Sequence, residues 1–527
     1  MEKKHISLVL TFISLFLLTS SSHSYLILDN FIECFSHDFP LSTTSLDVIH
    51  TPSNSSYSSL LESPIRNLRF LTSTTPKPLA VITPSTYDHV QATVTCCRKH
   101  GVQIRTRSGG HDYEGLSYTS NVPFIILDLV NLRAIDVNSE ENSAWVQSGA
   151  SLGELYYWIS QKSPSHGFPA GICPTIGVGG HFSGGGYGTI SRKYGLAADN
   201  VLDAVIVNAD GQILDRKSMG EDLFWAIRGG GGSSFGVIVA WKIKISYVPP
   251  LVTVFSPSRT LDLGATNLVY KWQQIANKLP EDLFIRLVIV ADGEGKNRTI
   301  RVTFNSLFLG RTDQLLEVMK ESFPELGLIK EDCREMSWIE TILYFDNRNG
   351  QTIDGLKNRV PDPKGFFKAT SDYVEEPLSQ AALEKLWKWC LEEERPALIF
   401  EPYGGIMDKI PEWQLPFPHR KGNLYNIQYF VQWSVGSNEA SERHINWMRR
   451  LYQHMTPYVS KGPRRAYLNY RDLDFGVHSN ISGTTYSEAK KWGAKYFSKN
   501  YRALAFIKGK VDPENFFNDE QSIPPFK

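Results

Sequence analysis

The stretch that decides the fold is the glycine-rich segment Gly177-Val178-Gly179-Gly180-His181-Phe182-Ser183-Gly184-Gly185-Gly186-Tyr187-Gly188. It has two companions along the chain, Ser108-Gly109-Gly110-His111 and Gly229-Gly230-Gly231-Gly232-Ser233-Ser234. Glycines let backbone N–H groups point together and approach a phosphate closely, so such loops can hold a pyrophosphate without a basic patch. Tight turns are the alternative, but three clusters within about 130 residues favour a cofactor site.

Familiar phosphate, nucleophile and metal motifs do not account for these loops. No G-x-G-x-x-G opens a helix after a strand and no G-x-x-x-x-G-K-[ST] occurs, so neither a Rossmann site nor a P-loop is supported. Gly232-Ser233-Ser234-Phe235-Gly236 has the spacing of a hydrolase elbow, but residues 237–243 predict a strand where that elbow needs a helix. No H-E-x-x-H and no cysteine–histidine zinc spacing occurs, so no metal site is predicted.

The composition is that of an ordinary globular protein. A chain of 527 residues is long enough for two or three domains, and 42% hydrophobic with 21% charged residues excludes a disordered or fibrous protein. Lys+Arg and Asp+Glu both total 55, so the chain has no basic excess that would attract nucleic acid. Six cysteines in so long a chain are too few for a disulfide scaffold.

The N-terminus predicts the compartment. Residues 1–24 read as a secretory signal peptide, with two lysines followed by an apolar run over residues 6–18. That run is shorter than the roughly 18 to 20 residues that a bilayer needs, so we expect no membrane span. Sequons for glycosylation stand at Asn54, Asn297 and Asn480. We therefore expect a protein of the secretory pathway, in the apoplast or vacuole, where oxidising conditions permit a disulfide.

Periodicity divides the chain at Pro249-Pro250. The first part has short strands predicted over residues 79–82, 103–107, 124–128, 144–147, 201–207 and 237–245, and helices over 87–100 and 152–161. The second part alternates helices over 267–279, 312–322, 379–394 and 439–455 with strands over 284–291, 299–307, 397–403 and 425–433. Because helices and strands are mixed without a regular βαβ order, we predict an α+β domain with helices on one face of a mostly antiparallel sheet. Residues 467–527 read as irregular.

Several long motifs resemble those of one known family. Arg105-Thr106-Arg107-Ser108-Gly109-Gly110-His111-Asp112-Tyr113-Glu114-Gly115 and Gly171-Ile172-Cys173-Pro174-Thr175-Ile176-Gly177-Val178-Gly179-Gly180-His181 are similar to flavin loops of the plant berberine bridge enzyme-like family. The tail resembles the same family's C-terminal signature in Tyr467-Leu468-Asn469-Tyr470-Arg471-Asp472-Leu473-Asp474, in Val511-Asp512-Pro513-Glu514-Asn515-Phe516-Phe517 and in Glu520-Gln521-Ser522-Ile523-Pro524-Pro525. The resemblance runs from about Phe31 to the end of the chain.

The resemblance implies an α+β fold like that of vanillyl-alcohol oxidase. We expect an FAD-binding domain, an α/β substrate domain with an antiparallel sheet, and a C-terminal segment that returns to the flavin. The implied boundaries are a signal peptide over residues 1–24, an N-terminal segment over 25–74, the FAD-binding domain over 75–249, the substrate-binding domain over 250–466 and the flavin-contacting segment over 467–527.

The resemblance also implies FAD held by two covalent links, from His111 to the 8α carbon and from Cys173 to C6 of the flavin. Imidazole and thiolate are nucleophiles that can add to an electrophilic flavin, whereas a turn histidine and a structural cysteine are the alternatives. The other residues implied at the cofactor are Arg107, Ser108, Gly109, Gly110, Ile176, Gly177, Gly179, Gly180, His181, Tyr187, Gly188, Asn469 and Tyr470. Cys34 and Cys96 match the family's disulfide, although the adjacent Cys97 leaves the pairing open; Cys333 and Cys390 are expected to be buried thiols.

One strand is expected to carry polar side chains toward the substrate. Alternation over residues 425–433 places Asn426, Gln428 and Gln432 on one face, which is either solvated or, by resemblance, the wall of the substrate cavity. The resemblance implies lysine or glutamate in other members at the position of Asn426, and glutamate in the berberine-forming type at the position of Gln428. Neither Asn426 nor Gln428 can be a general base, because an amide takes no proton near neutral pH.

The remaining acid–base candidates are tyrosines and a glutamate. Tyr187 and Tyr470 match positions beside the flavin, where they are either bases or aromatic packing partners, and a phenol needs a nearby cation or donor to serve as base. Glu401 and Arg286 lie within strands, where a charge usually faces solvent. If Glu401 faces the cavity instead, burial raises its pKa toward a useful range; for Arg286 we expect solvent or a structural partner.

The expected function is that of an FAD-linked oxidase, which moves a hydride from an alcohol or amine carbon of a plant metabolite to FAD, with O2 as acceptor and H2O2 as product. The resemblance allows alkaloids, phenolics, terpenophenolics or carbohydrates as substrates, and oxidative ring closure as an outcome. A pericyclase-like catalyst of cycloaddition and a storage flavoprotein are the alternatives. Ile176 is expected over the oxygen-reacting edge of the flavin, where by resemblance valine accompanies oxidases and leucine accompanies other acceptors; its β-branching favours an oxidase.

Overall fold

A computed structural model describes residues 26–37, 45–360, 364–479 and 485–526. The expected signal peptide and the sequon at Asn480 lie outside the described residues. The sequons at Asn54 and Asn297 are exposed. Within the described ranges, no helix is both long enough and apolar enough to cross a membrane.

The part of the chain before Pro249 contains a mixed sheet and an antiparallel sheet. The mixed sheet has the strand order Ile49–His50, Val81–Ile82, Phe124–Asp128, Gln103–Arg107, with the last three strands parallel. The antiparallel sheet has the order Ile135–Asn138, Ser143–Gln147, Val237–Lys244, Val201–Val207, Ile213–Leu214. The helices are residues 26–37, Tyr57–Glu62, Tyr87–Lys99, Leu152–Lys162, Val178–Ser183, Ser191–Tyr194 and Arg216–Ile227. Ser151 caps the helix Leu152–Lys162, in a reciprocal pair with Glu154.

Beyond Pro250 the chain forms one large antiparallel sheet. Its strand order is Cys333–Met336, Val252–Phe255, Thr299–Phe308, Leu283–Asp292, Pro396–Pro402, Tyr425–Trp433, Phe366–Val374, and Ser258–Thr260 also pairs with Thr299–Phe308. The helices of this part are Ala265–Ile275, Thr312–Ser322, Trp338–Phe345, Gln380–Glu392 and Asn438–Met455. Four of the five match the predicted helices, and the antiparallel arrangement is confirmed.

Alternation along Tyr425–Trp433 explains which face of the large sheet the helices cover. Tyr425, Ile427, Tyr429, Val431 and Trp433 are buried in one core with the helices. The intervening Gln428, Phe430 and Gln432 line a cavity on the opposite face. Since neighbouring side chains in a strand point to opposite faces, one face builds the core and the other builds a polar wall.

The strand Phe366–Val374 was not predicted from the sequence. It pairs with Tyr425–Trp433 along its whole length, from Phe366 opposite Trp433 to Val374 opposite Tyr425. The strand was not predicted because it contains charged residues, and these residues are paired with partners from distant segments that no local pattern shows. Lys368 Nζ, for example, lies 2.5 Å from both Glu114 Oε1 and Asp472 Oδ1, and all three side chains are buried.

The C-terminal segment corrects the expectation that residues 467–527 are irregular. It contains the helices Tyr486–Phe497 and Asn500–Val511. Trp492 and Leu504 from these helices are buried in the core of the first part of the chain. Part of the segment predicted as irregular is therefore a helix pair whose apolar side chains pack into that core. The return of the C-terminal segment to the first part agrees with the expected fold.

The structure shows which cysteines are paired and which are free. Cys34 and Cys96 form the disulfide, and Cys97 is a buried free thiol. Cys390 is buried as expected, whereas Cys333 is only half-buried because its strand lies at the edge of the large sheet.

Candidate active site

A cavity of about 610 Å³ lies between the glycine loops and the large sheet. One side, here called the loop wall, consists of the lining residues within segments 108–112, 171–189 and 231–236. The other side, here called the sheet wall, consists of Phe284, Arg286, Phe367, Ala397, Ile399, Glu401, Gln428, Phe430 and Gln432. The C-terminal segment contributes residues 467–471 between the two walls.

The loop wall depends on a close approach of two backbones. A Cβ atom on Gly177 would lie 2.1 Å from Ser108 Oγ and 2.3 Å from the nitrogen of Gly109. The φ angle of Gly177 is −73°, so the glycine is required by proximity and not by its backbone conformation. Ser108 Oγ donates to the carbonyl of Ser148 at 2.5 Å, which fixes the first loop from behind.

The loop wall fits the pyrophosphate of FAD. Gly109, Gly110 and His111 line the cavity, and their backbone N–H groups donate to no acceptor among the described residues. A Cβ on Gly180 would meet no atom within 4 Å, so the space in front of this residue is open. Backbone N–H groups at a buried site need acceptors, and phosphate oxygens would provide them.

His111 and Cys173 come from the two loops that meet. The His111 Nε2 atom lies 3.0 Å from Thr175 Oγ1, and Thr175 follows Cys173 by two residues. Burial, together with the charge of Arg66, lowers the pKa of His111 to about 3, so the imidazole is neutral. Burial raises the pKa of the Cys173 thiol, while Arg66 and Arg286 oppose that shift. The arrangement places a neutral imidazole and a thiol on adjoining loops of one wall.

The other predicted cofactor residues lie at the cavity, with one exception. Ser108, Gly109, Gly110, Ile176, Gly177, Gly179, Gly180, His181, Tyr187, Gly188, Asn469 and Tyr470 all line it. The His181 ring also holds the loop, since its Nε2 accepts from the nitrogen of Gly171 at 2.9 Å, and burial lowers its pKa to about 4.

Arg107 is the exception, because its side chain lies away from the cavity where a contact with the cofactor was predicted. Its side chain is fully buried outside the cavity lining. Its Nη2 atom donates to Asp128 Oδ2 at 2.7 Å and to the carbonyl of Leu60 at 2.6 Å. Asp128 stands directly opposite Arg107 in the neighbouring parallel strand and therefore captures the guanidinium. Arg105 lines the cavity instead, paired with Glu520 at 2.7 Å.

The amides of the sheet wall divide into two kinds. Gln428 and Gln432 line the cavity, and Gln428 Nε2 donates to Tyr113 Oη at 2.6 Å. Asn426 lies outside the lining, contrary to the expectation of a catalytic role. Its Nδ2 atom donates to the carbonyl of Asp372 at 2.9 Å, so the neighbouring strand uses the amide.

Glu401 and Arg286 face the cavity and not bulk solvent, because the helices cover the other face of the sheet. Arg286 Nη1 lies 3.6 Å from Glu401 Oε1, and its Nε atom donates to Asn305 Oδ1 at 2.9 Å. Burial raises the pKa of Glu401, and Arg286 opposes the shift. The sheet wall thus carries a nearly buried ion pair beside its amides.

The space between the walls is lined by four tyrosines: Tyr113, Tyr187, Tyr467 and Tyr470. The Tyr187 ring stacks on Tyr403 with centroids 5.4 Å apart, and its hydroxyl donates to the carbonyl of Pro402. Tyr470 stacks on Tyr113 at 5.8 Å and meets the edge of Tyr467 at 5.0 Å. Burial raises the pKa of Tyr470 well above its ordinary value, and its hydroxyl has no hydrogen-bond partner among the described residues.

Arg66, Tyr113 and Tyr467 are among the cavity-lining residues that were not predicted from the sequence. Tyr113 and Tyr467 lie inside quoted motifs, two residues after His111 and three before Tyr470, so their spacing was an available signal. Arg66 lies in a segment without any motif. No group of three His, Cys, Asp or Glu side chains within the described ranges is placed to hold a metal ion.

Comparisons with known proteins agree with this geometry. The FAD binding domain family matches residues 78–216, and the berberine and berberine-like family matches residues 466–524. The chain is 54% identical to the O-acetylstemmadenine oxidase of Catharanthus roseus, over 99% of this chain and 98% of that protein. It is 52% identical to a tetrahydroberberine oxidase of Berberis wilsoniae, over 97% of this chain and 96% of that protein.

Solved structures share the fold. Wild-type Phl p 4.0202, described as a glucose dehydrogenase, has 45% identity and a TM-score of 0.88 over 94% of this chain and 99% of its own. An isoleucine-to-valine variant of Phl p 4, described as a glucose oxidase, has 45% identity and a TM-score of 0.89 over the same shares. The match to the FAD binding domain family agrees with a loop wall that fits the dinucleotide. Together with the relatives that match along the full chain, it shows that the chain belongs to the plant berberine bridge enzyme-like family of FAD-linked oxidoreductases.

Proposed function

We propose that this enzyme is an oxidase that removes a hydride from an alcohol or amine carbon of a plant specialised metabolite and delivers the electrons to O2, forming H2O2. When bound, FAD supplies the hydride-accepting and oxygen-reducing chemistry. The observation that carries the proposal is the cavity itself. Its loop wall fits a dinucleotide, and the opposite sheet wall presents apolar and amide side chains.

His111 and Cys173 are proposed to hold the flavin covalently. The neutral state of His111 supports its role as a nucleophile, because a protonated imidazole has no lone pair to offer. Its hydrogen bond through Nε2 to Thr175 leaves Nδ1 available. Burial raises the pKa of Cys173, and Arg66 and Arg286 oppose that rise and so favour the thiolate, which is the reactive form of a cysteine.

The sheet wall is proposed to bind and orient the substrate. Phe284, Ile399 and Phe430 provide an apolar surface, while Gln428 and Gln432 provide amides that can fix orientation. A largely apolar pocket with a few converging polar groups is typical of small-molecule sites. The names of the two relatives from Catharanthus and Berberis designate oxidases of alkaloids, which supports an amine-bearing substrate.

A dehydrogenase that uses an acceptor other than O2 is the second candidate. Ile176 lines the cavity on the loop wall. Wild-type Phl p 4.0202 is described as a glucose dehydrogenase and an isoleucine-to-valine variant as a glucose oxidase, and we propose that Ile176 takes the place of that isoleucine, which favours the second candidate. The oxidase names of the Catharanthus and Berberis relatives favour the first candidate.

Anaerobic reduction followed by exposure to air tests the proposal. The purified protein is incubated without oxygen with D-glucose, coniferyl alcohol and tetrahydroberberine in turn, and the flavin absorbance is followed. Bleaching by one of them supports hydride transfer, and rapid recovery in air with formation of H2O2 supports the oxidase. Bleaching with slow recovery in air selects the dehydrogenase. A flavin that none of the three bleaches contradicts both, and favours non-redox use of the scaffold.

A further inference from the structure

Four arginine side chains line the cavity: Arg66, Arg105, Arg286 and Arg471. Three of them are paired with carboxylates: Arg105 with Glu520 at 2.7 Å, Arg286 with Glu401 at 3.6 Å and Arg471 with Asp519 at 3.3 Å. Arg66 differs from them, because its half-buried guanidinium forms no ion pair or hydrogen bond with any residue in the described ranges. The part of the chain that the structure describes therefore leaves one cavity cation without a counter-ion.

Gln432 lies at the same corner of the cavity as Arg66. The carbonyl of Arg66 accepts from the backbone nitrogen of Gly365 at 3.3 Å. A Cβ on this glycine would lie 2.4 Å from Gln432 Nε2, so the amide packs against bare backbone. The side-chain amide of Gln432 also has no hydrogen-bond partner among the described residues. This corner thus offers the N–H groups of a guanidinium and of an amide.

The titratable groups around Arg66 do not neutralise it. Arg66 interacts electrostatically with His111, Cys173 and Tyr113. Burial lowers the pKa of His111 and raises the pKa values of Cys173 and Tyr113, which keeps all three uncharged near pH 7. Asp346 also interacts with Arg66, but a different arginine holds this carboxylate at 2.6 Å.

The flavin would not supply the counter-ion either. In the proposed attachment, His111 and Cys173 bind the 8α carbon and C6, which belong to the benzenoid part of the flavin, where no atom is ionisable. The pyrophosphate has donors of its own in the backbone N–H groups of Gly109 and Gly110. We therefore expect the counter-ion of Arg66 to come from the other occupant of the cavity, which is the substrate.

We propose that Arg66 and Gln432 bind a carboxylate of the substrate, so that the substrate is an acid as well as an alcohol or an amine. An ionised carboxylate only accepts hydrogen bonds, and a guanidinium presents two parallel N–H groups that match its two oxygens. Gln432 Nε2 supplies a further donor. This inference rests on the proposed function and names the class of substrate within it.

The surface beside this corner indicates an apolar body next to the carboxylate. Phe367 stands directly opposite Gln432 in the neighbouring strand, and its ring stacks on Phe430 with centroids 5.2 Å apart. Both rings line the cavity. Gln428 lies four residues from Gln432 along its strand, about 13 Å away at 3.3 Å per residue. An aromatic acid therefore fits the corner, with its carboxylate toward Arg66.

Equilibrium binding of two ligands without an oxidisable alcohol or amine carbon tests the inference. The ligand 4-hydroxycinnamate carries a carboxylate on an aromatic body, and 4-hydroxycinnamamide is its neutral counterpart of nearly the same shape. Titration calorimetry on the flavin-loaded protein at pH 7 should give a dissociation constant about tenfold or more lower for the carboxylate, because hydrogen bonds between charged groups are the stronger ones. A change of the flavin absorbance on binding shows that the ligand enters the cavity.

Substitution of Arg66 should remove this preference. Arg66→Gln should weaken the binding of 4-hydroxycinnamate about tenfold or more and leave that of the amide unchanged, a selective effect that a merely structural role would not produce. Arg66→Lys keeps the charge without the planar fork and should keep part of the preference.

Lys364→Gln is the matched control. Lys364 directly precedes Gly365, and its Nζ donates to the carbonyl of Glu62 at 2.9 Å, outside the cavity lining. The variant loses the same charge from the same region and should keep the preference of the wild type. An equal loss in Lys364→Gln and Arg66→Gln would show that general charge attracts the acid, and would overturn the inference.

The remaining outcomes separate this inference from the proposed function. A wild-type protein that binds both ligands equally, or neither, overturns the inference, and so does loss of flavin from folded Arg66→Gln, which would make Arg66 a cofactor residue. If Arg66→Gln does not fold, Gln432→Leu decides: the preference should fall about tenfold, and an unchanged preference overturns the inference. Binding requires no hydride transfer, so a preserved preference in a protein whose flavin no substrate reduces would contradict the proposed function alone.

Discussion

The two walls of the cavity are built in different ways. The loop wall is formed by backbone, and its geometry depends on contacts such as that between Gly177 and Gly109, where no side chain fits. The sheet wall is formed by side chains, and its geometry depends on strand register, which places Gln428 opposite Ile399. Backbone contacts leave no freedom for substitution, whereas an alternating strand can change a side chain and keep its register. The cofactor side should therefore tolerate little change, and the substrate side should tolerate much.

A methyl group at the closest backbone contact should have the largest effect. In Gly177→Ala the new Cβ would overlap the nitrogen of Gly109, which cannot rotate away. We expect a loss of about 3 kcal/mol or more in the free energy of unfolding and no bound flavin. Thermal unfolding and the flavin-to-protein absorbance ratio measure both effects.

Gly180→Ala is the matched control on the same wall. A Cβ at this position meets no protein atom within 4 Å, so the protein should fold with nearly unchanged stability in the absence of flavin. If Gly177→Ala were as stable as Gly180→Ala, the loop wall would not depend on backbone proximity.

Acid should weaken the loop wall through His181. The buried His181 stays neutral down to about pH 4, whereas an unfolded histidine takes up a proton near pH 6.5. Unfolding therefore binds a proton in this range, and the free energy of unfolding should fall by about 3 kcal/mol as the pH drops from 6.5 to 4. His181→Gln keeps an acceptor for Gly171 and removes the titration. Denaturant unfolding at pH 7, 5.5 and 4 should show a flatter dependence in this variant, and identical slopes would contradict the assignment.

A change on the sheet wall should spare the cofactor. Gln428→Leu removes the donor to Tyr113, so we expect normal flavin content and a kcat/KM about tenfold lower. Tyr425→Phe is the control on the helix-covered face of the same strand, where the hydroxyl donates to Gln273; it should alter stability and leave kcat/KM unchanged. Loss of flavin from Gln428→Leu would show that the two walls are not independent.

The smallest structural change concerns Ile176, which belongs to the loop wall but should act on oxygen alone. Ile176→Val should cost about 1 kcal/mol of stability and maintain or raise the rate at which the photoreduced flavin reoxidises in air. Ile176→Leu should lower that rate, because its branch lies further from the backbone. Equal reoxidation rates in all three proteins would exclude Ile176 from the control of oxygen.

The difference between the walls also explains what the sequence could predict. Residues of the loop wall lie in contiguous motifs, so His111, Cys173 and most of their neighbours could be placed from the sequence. Arg107 could not, because its partner Asp128 comes from a parallel strand whose register no local pattern shows. Glu401 faces the cavity because the helices cover the other face of the sheet, which the sequence did not show. Asn426 lies outside the cavity lining because it donates to the strand Phe366–Val374, which was not predicted since its charged residues have distant partners.

We propose that His111 and Cys173, on two loops that meet, hold one FAD between them. The most direct measurement is mass spectrometry of the denatured and protease-digested protein. We expect a single cross-linked species in which the peptide containing His111 and the peptide containing Cys173 are joined through one FAD. Release of all flavin into the supernatant after acid precipitation, with both peptides unmodified, would contradict it.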